Sequence, residues 1–234
     1  LNIKRVRKAN EGEYEPADFL PVSHRDIDEM YQELLQLIGQ IQDPYLKQLT
    51  DSYFVTNESF IKAFKFHSAA KSVHHGFVGG LLEHTLNVMK LCEYYANQYS
   101  FLNRDLLYTA AAFHDVGKMR ELSAFPENDY TDDGQLLGHI VMGVELVGAS
   151  IRRIPGFPKK LSSELKHCIL AHHGELEYGS PKKPALAEAL ALNFADNTDA
   201  KMETFKEALA SGGDNTDWLG YNRLFESNIR KTSI

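Results

Sequence analysis

The histidines of this chain are its first candidates for chemistry. Nine of the ten lie between positions 67 and 173 of the 234 residues. His84 falls on the same predicted helical stripe as Leu81, Val88 and Leu91, so its ring is expected in the interior. A single histidine on an apolar stripe is usually a core residue. Clustering of so many in one region favours imidazoles that are placed to bind a metal ion.

Two acidic positions point to the same chemistry. His114 and Asp115 stand at the end of a predicted helix, followed by Gly117, which lets the chain turn. Asp115 is unfavourable there because the C-terminal end of a helix carries partial negative charge, and a nearby cation would remove that penalty. Asp196 interrupts an apolar run, where a buried carboxylate should meet a cation or hydrogen-bond donors.

Three more histidines complete a set of candidate metal ligands. The set is His84, His114, Asp115, His139, His172, His173 and Asp196. Imidazole and carboxylate ligands without thiolates suit Mn²⁺, Fe²⁺, Co²⁺, Ni²⁺ or Zn²⁺ in a catalytic site. Seven ligands exceed the needs of one catalytic ion, whereas two ions that share a carboxylate account for the number. Such a pair can activate water and clamp a phosphoryl group, so the pattern predicts hydrolysis of a phosphate ester.

The elements that must position these side chains are all predicted to be helices. The sequence contains no convincing alternating strand pattern, and we predict an all-α fold. One helix is predicted to begin at an N-cap at Ser23, and another to begin with Asp43 and Pro44. A later helix is predicted to be capped by Ser162, and a short C-terminal helix is predicted from Asp217.

Composition limits the function classes. The net charge of −7 argues against a surface that grips a whole DNA duplex. Cys92 and Cys168 lie among apolar residues and cannot make a disulfide framework, so we expect core thiols in a reducing cytoplasm. No apolar run approaches the ~18 residues of a membrane helix, and we expect no membrane partner.

The order of the candidate ligands resembles the H…HD…D pattern of the HD superfamily of metal-dependent phosphohydrolases. The matching residues are His84, His114 with Asp115, and Asp196. The resemblance implies an HD-domain helical bundle with a binuclear metal site, in which Lys118 would bind the substrate phosphate or stabilise developing charge. It assigns one ion to His84, His114, Asp115 and Asp196, and the second to Asp115 as a bridge with His139, His172 and His173.

Segments around this pattern narrow the resemblance. Residues 70–76, 79–85 and 194–201 resemble the YhaM-type 3′→5′ exoribonucleases, a family in which an N-terminal OB fold is joined to an HD domain. The resemblance implies that residues 1–22 are a linker from a missing upstream domain. Residues 23–234 would then form the HD phosphohydrolase domain.

The narrower resemblance also implies a reaction. The chain would hydrolyse single-stranded RNA from its 3′ end to nucleoside 5′-monophosphates with two divalent ions, among which Mn²⁺ is favoured. Asp115, Lys118 and His75 would be catalytic, and either a histidine such as His75 or metal-bound water would donate a proton to the leaving group. Lys71, His74, His75 and Lys118 would bind the substrate, because the first three precede glycines near the open side of the expected metal centre.

Alternative functions stay open at this point. The same chemistry would serve a phosphodiesterase that acts on free or cyclic nucleotides, and single-stranded DNA is an alternative polymer. A non-catalytic HD scaffold is a third class, although such scaffolds can dispense with the metal ligands and this sequence keeps all seven. The sequence also leaves open whether the chain forms a homo-oligomer.

Overall fold

The computed structural model describes residues 3–7, 9–10, 13, 19–71, 75–213 and 217–233. In chain order the elements are α1 Ile27–Ile38, α2 Pro44–Phe54, α3 Glu58–Phe66, α4 Gly80–Gln98, α5 Arg104–Phe113, α6 Lys118–Glu121, α7 Asp132–Ile151, α8 Lys159–Leu170, α9 Ala187–Ser211, β1 Trp218–Asn222 and β2 Ser227–Arg230. A turn of 3-10 helix, Leu176–Tyr178, lies between α8 and α9. The predicted all-α architecture is confirmed, with a small C-terminal hairpin added.

Capping residues decide where the first two helices begin. Asp43 caps α2 ahead of Pro44, as predicted, because its side chain accepts hydrogen bonds from two amides of the first turn. The first helix begins at Ile27 with Asp26 as its cap, so the predicted start at Ser23 is wrong. Ser23 lies ahead of the helix, and its hydroxyl donates to a carboxylate of α4 instead.

Two other sequence predictions are wrong. Ser162 does not cap α8, because that helix already begins at Lys159, immediately after Pro158. The segment after Asp217 is not a helix but the antiparallel hairpin of β1 and β2. Its aromatic residues favour strands, and Gly220 has a φ of 93°, which a right-handed helix excludes.

Helices α4 and α5 form the centre of the fold. α4 packs against α1, α3, α5 and α9, and α5 also packs against α2, α8 and α9. Side chains along the two helices are fully buried, among them Leu86, Leu107 and Phe113. Burial of each large apolar side chain contributes about 1.5–3 kcal/mol, so these contacts hold the two helices firmly against their neighbours. Cys92 and Cys168 are buried free thiols, as predicted.

Helix α7 is a long apolar helix with a kink near its start. By length and composition it is apolar enough to cross a membrane, a test that core helices of soluble proteins also pass. It packs against α6 and α8. Non-helical backbone at Gly138 interrupts it near its start, immediately before His139. The kink therefore sets the direction in which His139 leaves the helix.

Candidate metal centre

The first group of candidate ligands comes from α4, the end of α5 and α9. His84 Nε2 lies 3.1 Å from Asp196 Oδ1, 3.2 Å from His114 Nε2 and 3.3 Å from Asp115 Oδ2. His114 Nε2 lies 3.5 Å from the same Asp115 oxygen. The four predicted ligands of one ion therefore converge on a common point.

The second group comes from α7 and from the residues that follow α8. His139, His172 and His173 each offer a ring nitrogen, and these nitrogens lie within 4.8 Å of one another. His139 Nε2 lies 3.5 Å and His172 Nε2 lies 3.7 Å from Asp115 Oδ1. The three histidines predicted for the second ion are thus together, beside the shared aspartate.

Asp115 stands between the two groups. Its Oδ2 faces His84 and His114, whereas its Oδ1 faces His139 and His172. The residue is 2% exposed, and Oδ1 has no hydrogen-bond donor among the residues that the structure describes. Lys118 Nζ forms an ion pair with Oδ2 at 2.7 Å. This placement is the one that a carboxylate bridging two cations requires.

The ring orientation of all five histidines follows one rule, in which Nδ1 points away from the centre. Each Nδ1 lies within hydrogen-bonding distance of an oxygen. For three rings this oxygen is a backbone carbonyl, of Ala111 for His114, Ile169 for His172 and Tyr178 for His173. For the other two it is a carboxylate oxygen, of Asp199 for His84 and Glu121 for His139. Carbonyl and carboxylate oxygens can only accept, so Nδ1 carries the proton in each ring. In the neutral imidazole, Nε2 therefore presents a lone pair to the centre.

This arrangement fits divalent cations. The Nε2 atoms of His84 and His114 are 3.2 Å apart, and two lone pairs at that distance repel unless a proton or a cation lies between them. His139 Nε2, His172 Nε2 and Asp115 Oδ1 are buried with no hydrogen-bond partner among the described residues. Buried polar atoms are rarely left without a partner, and a bound ion would satisfy all three.

Burial and charge control the protonation of the candidate ligands. Burial lowers the pKa of His172 well below its ordinary value and lowers that of His114, which keeps both rings neutral near pH 7. Burial alone would lower the pKa of His84, but hydrogen bonds to Asp115 and Asp196 outweigh burial and raise it. Burial alone would raise the pKa of Asp196, but the hydrogen bond from His84 and the charges of His84, His114 and His172 together outweigh burial and lower it. The carboxylates are thus ionised and able to bind a cation.

Comparison with known proteins agrees with this geometry. The sequence profile of the HD domain matches residues 81–201, which is more than half of the chain and includes all seven candidate ligands. The chain belongs to the HD-domain family. It is also similar to the 3′-5′ exoribonuclease YhaM of Geobacillus sp. (strain WCH70), with 36% identity over 210 residues. The matched region covers 89% of this chain and 64% of that relative. No solved structure matches the chain.

Glycines allow the HD domain to bring α6 and α7 close together. A Cβ on Gly117 would lie 1.9 Å from the carbonyl oxygen of His139, so a side chain cannot be accommodated without moving that backbone. Gly138 has a φ of 74° and a ψ of 158°, a conformation that favours glycine. Glu121 Oε1 accepts from both the backbone N–H of His139 at 2.9 Å and its Nδ1–H at 3.0 Å. Backbone and ring of this ligand are therefore held together.

A cavity of ≈ 600 Å³ opens beside the candidate metal ligands of the HD domain. Its lining consists of Ala69, Ala70, His75, His84, Lys118, His173, Glu175, Tyr178, Asn193, Asp196, Asn197 and Ala200. This volume lies within the range of small-molecule binding sites. Burial alone would lower the pKa of Lys118, but the charge and hydrogen bond of Asp115, together with the charges of Asp196 and Glu121, outweigh burial and raise it. A cationic side chain therefore lines the cavity next to the candidate ligands.

Of the residues that were predicted to bind substrate, some line the cavity and others do not. Lys118 lines the cavity, as does His75, but His75 is 1% exposed and its Nε2 donates to Asp199 Oδ2 at 3.0 Å. Lys71 is exposed outside the cavity lining, and its Nζ lies 2.6 Å from Asp129 Oδ1. His74 lies outside the described residues. The substrate roles of Lys71, His74 and His75 stay predictions.

Two carboxylates that support the HD-domain ligands were missed by the sequence reasoning. Asp199 follows Asp196 by three positions on α9, a spacing that places both on one helical face, so the sequence carried a usable signal. Glu121 carried no comparable signal. It reaches His139 only because α6 and α7 meet at a kink that the sequence does not reveal.

Proposed function

We propose that this chain is a metal-dependent 3′→5′ exoribonuclease with a binuclear centre. The observation that carries the proposal is Asp115, whose two oxygens face two separate groups of metal-ligating side chains. Membership of the HD-domain family supports a metal-dependent phosphohydrolase. The similarity to a 3′-5′ exoribonuclease supports the polymer substrate, although the chain spans 64% of that relative.

The residues present fit two cations, one on each side of Asp115. His84, His114, Asp115 and Asp196 would hold the first, and Asp115, His139, His172 and His173 would hold the second, with Mn²⁺ as our first choice of metal. When bound, such a pair supplies Lewis acidity toward a phosphoryl group and an activated water at neutral pH. The chain contributes the fixed ring orientations, which direct every Nε2 toward the centre.

The cavity walls would bind the end of the RNA strand. Lys118 places a positive charge where a phosphate oxygen would lie, and its ammonium can balance negative charge that develops on the phosphoryl group. The ring of Tyr178 is exposed on the cavity wall, where a base can stack on it whatever the sequence of the RNA. Asn197 adds an amide that can bond sugar or phosphate oxygens.

The experiment that tests this function uses single-stranded RNA labelled at its 5′ end. Purified chain with Mn²⁺ should produce a ladder of products that shortens from the 3′ end and should release nucleoside 5′-monophosphates. His114→Ala should abolish the ladder, because one candidate ion loses a ligand. RNA that stays intact while metal analysis shows two bound ions per chain would reject the exonuclease.

The same assay separates the alternative substrates. Single-stranded DNA of the same sequence tests whether the sugar matters to the reaction. Cyclic and free nucleotides test a small-molecule phosphodiesterase. Turnover of these compounds without any shortening of RNA would replace the exoribonuclease with the nucleotide hydrolase. Absence of both activities with metal bound would favour a non-catalytic scaffold.

A further inference from the structure

The hydrogen bonds behind the histidines divide them into two kinds. Three of the five rings donate Nδ1–H to backbone carbonyls, which belong to the local turn and carry no net charge. His84 and His139 instead donate to side-chain carboxylates. One of these two rings belongs to the first ligand group and the other to the second. Each candidate ion thus has a single histidine that is supported by a carboxylate.

Asp199 supports His84 from α9. Its Oδ2 accepts from His84 Nδ1–H at 2.7 Å and from His75 Nε2–H at 3.0 Å, and the residue is 9% exposed. His75 is itself held in an unusual conformation, with a φ of 58°. A Cβ on Gly80 would lie 1.9 Å from the carbonyl oxygen of His75, so the backbones of these two residues are closely packed. The structure therefore holds His75 where it anchors the carboxylate of Asp199.

Glu121 supports His139 from α6, on the other side of the centre. Its Oε1 accepts both the backbone N–H and the Nδ1–H of His139. Both donors belong to one residue, so Glu121 fixes the backbone and the ring of His139 together.

From this division we propose that Asp199 and Glu121 are positioning residues, each of which controls one ion of the pair. A carboxylate that accepts Nδ1–H fixes the tautomer with a free Nε2 and makes Nε2 a stronger electron donor to a metal. Asp199 does this for the ion held by His84, and Glu121 does it for the ion held by His139. The proposal rests on the binuclear centre proposed above. It gives His75 a role through Asp199 rather than through the substrate.

Calorimetric titration of the metal-free chain with Mn²⁺ tests the assignment. Asp199→Asn and Glu121→Gln keep the shape of each side chain and remove its charge. Each variant should lower the Mn²⁺ affinity of one of the two binding steps by roughly 10- to 100-fold. The affinity of the other step should stay within about threefold of the wild-type value. The double variant should weaken both steps. Glu207→Gln on α9 and Glu145→Gln on α7 are matched controls at exposed positions, and they should leave both steps unchanged.

A second measurement separates positioning from general destabilisation. In the Zn²⁺-loaded chain, proton NMR should show the Nδ1–H of His84 and of His139 far downfield and slow to exchange with water. Asp199→Asn should shift the His84 signal alone, and Glu121→Gln the His139 signal alone. Thermal unfolding in the presence of a chelator shows whether either variant is folded, and Asp199→Glu provides a further variant that keeps the charge.

The outcomes distinguish this proposal from the function on which it rests. A wild-type chain that binds fewer than two ions contradicts the binuclear centre itself. A wild-type chain that binds two ions, with folded variants whose two steps are both unchanged or both weakened equally, contradicts the roles of Asp199 and Glu121 only. Weakening of a single step in each variant, with the matching NMR shift, supports them.

Discussion

At the scale of single residues, Asp115 determines whether the two ligand groups can act together. Each of its oxygens faces a different group. A carboxylate in this position fixes the separation of two cations and lowers their mutual repulsion. Loss of its charge should therefore affect both cations and not one.

Replacing Asp115 with Asn should leave at most one ion per chain. Activity on RNA should fall by more than the roughly 10- to 100-fold that loss of a supporting carboxylate produces, because a ligand itself is lost. Metal analysis after gel filtration and kcat/KM for RNA measure the two effects. Asp133→Asn changes an exposed aspartate outside the cavity lining and serves as the control. Unchanged metal content in Asp115→Asn would contradict the bridging role.

Tyr178 offers a second prediction at this scale. Stacking of a base on an aromatic ring contributes about 1–3 kcal/mol. Tyr178→Ala should therefore raise KM for single-stranded RNA by roughly 5- to 150-fold. The backbone carbonyl that holds His173 is retained, so kcat should change much less. Tyr178→Phe keeps the stacking face and should behave as the wild type, whereas equal losses in both variants would argue against stacking.

At the scale of elements, the contact between α6 and α7 positions the second ligand group. Gly117 lies against the carbonyl oxygen of His139 with no room for a Cβ, and Glu121 binds the same residue from the other end of α6. Gly117 therefore provides the close backbone approach to His139, and Glu121 at the end of α6 provides the polar contact to the same residue. A change in the helix–helix distance should affect His139 before it affects the rest of the fold.

Gly117→Ala should destabilise the chain by roughly 1–3 kcal/mol, the range for forced overpacking in a core. It should also weaken Mn²⁺ binding at one step, because His139 must move. Gly148→Ala on α7 is the matched control, since its Cβ would lie 3.7 Å from the nearest atom. That variant should be stabilised by about 0.4–1 kcal/mol. Chemical denaturation measures the free energy of unfolding of both variants, and equal values would contradict the packing argument.

The same elements show why sequence reasoning succeeded in some places and failed in others. The Asp43–Pro44 start was predictable because capping is a local interaction. Ser23 and Ser162 were equally good candidates in the sequence, but Asp26 and Pro158 lie where the chain enters the helices. The kink at Gly138 was not predictable, because the contacts that stabilise it come from α6.

At the scale of the whole molecule, the candidate site was predicted better than its supports. The seven ligands were visible because imidazoles and carboxylates are unusual on apolar faces, and the structure brings all seven together. Asp199 and Glu121 were missed, since polar residues are ordinary in a sequence until the fold places them behind a ligand. Charge and hydrogen bonding across separate helices are properties of the assembled fold.

Metal binding should stabilise the whole chain. An ion at 100 times its dissociation constant adds about 2.7 kcal/mol to the free energy of unfolding. For a chain of this length each site should raise Tm by roughly 5–10 °C. Thermal unfolding with Mn²⁺ and with a chelator measures the difference, and His114→Ala should show a smaller one. Identical Tm values with and without Mn²⁺ would contradict a bound pair.

The metal-dependent part of this stability should vary with pH. Histidine binds a metal only when it is neutral, so binding releases any proton that the ring carries. Acid therefore favours the metal-free chain, and the increase in Tm with Mn²⁺ should shrink as the pH falls, first through protonation of His84, whose pKa is raised, and last through protonation of His172, whose pKa is lowered well below its ordinary value. Thermal unfolding at several pH values, each with and without Mn²⁺, gives this increment directly. A larger increment in acid would contradict histidine ligation.

The size of the cavity limits what could enter it. A space of ≈ 600 Å³ accommodates a strand terminus but not the width of a double helix. A hairpin in the RNA would have to fray at its base before the next nucleotide reached the centre. Secondary structure in the transcript, rather than base identity, would then determine where degradation pauses and which fragments persist.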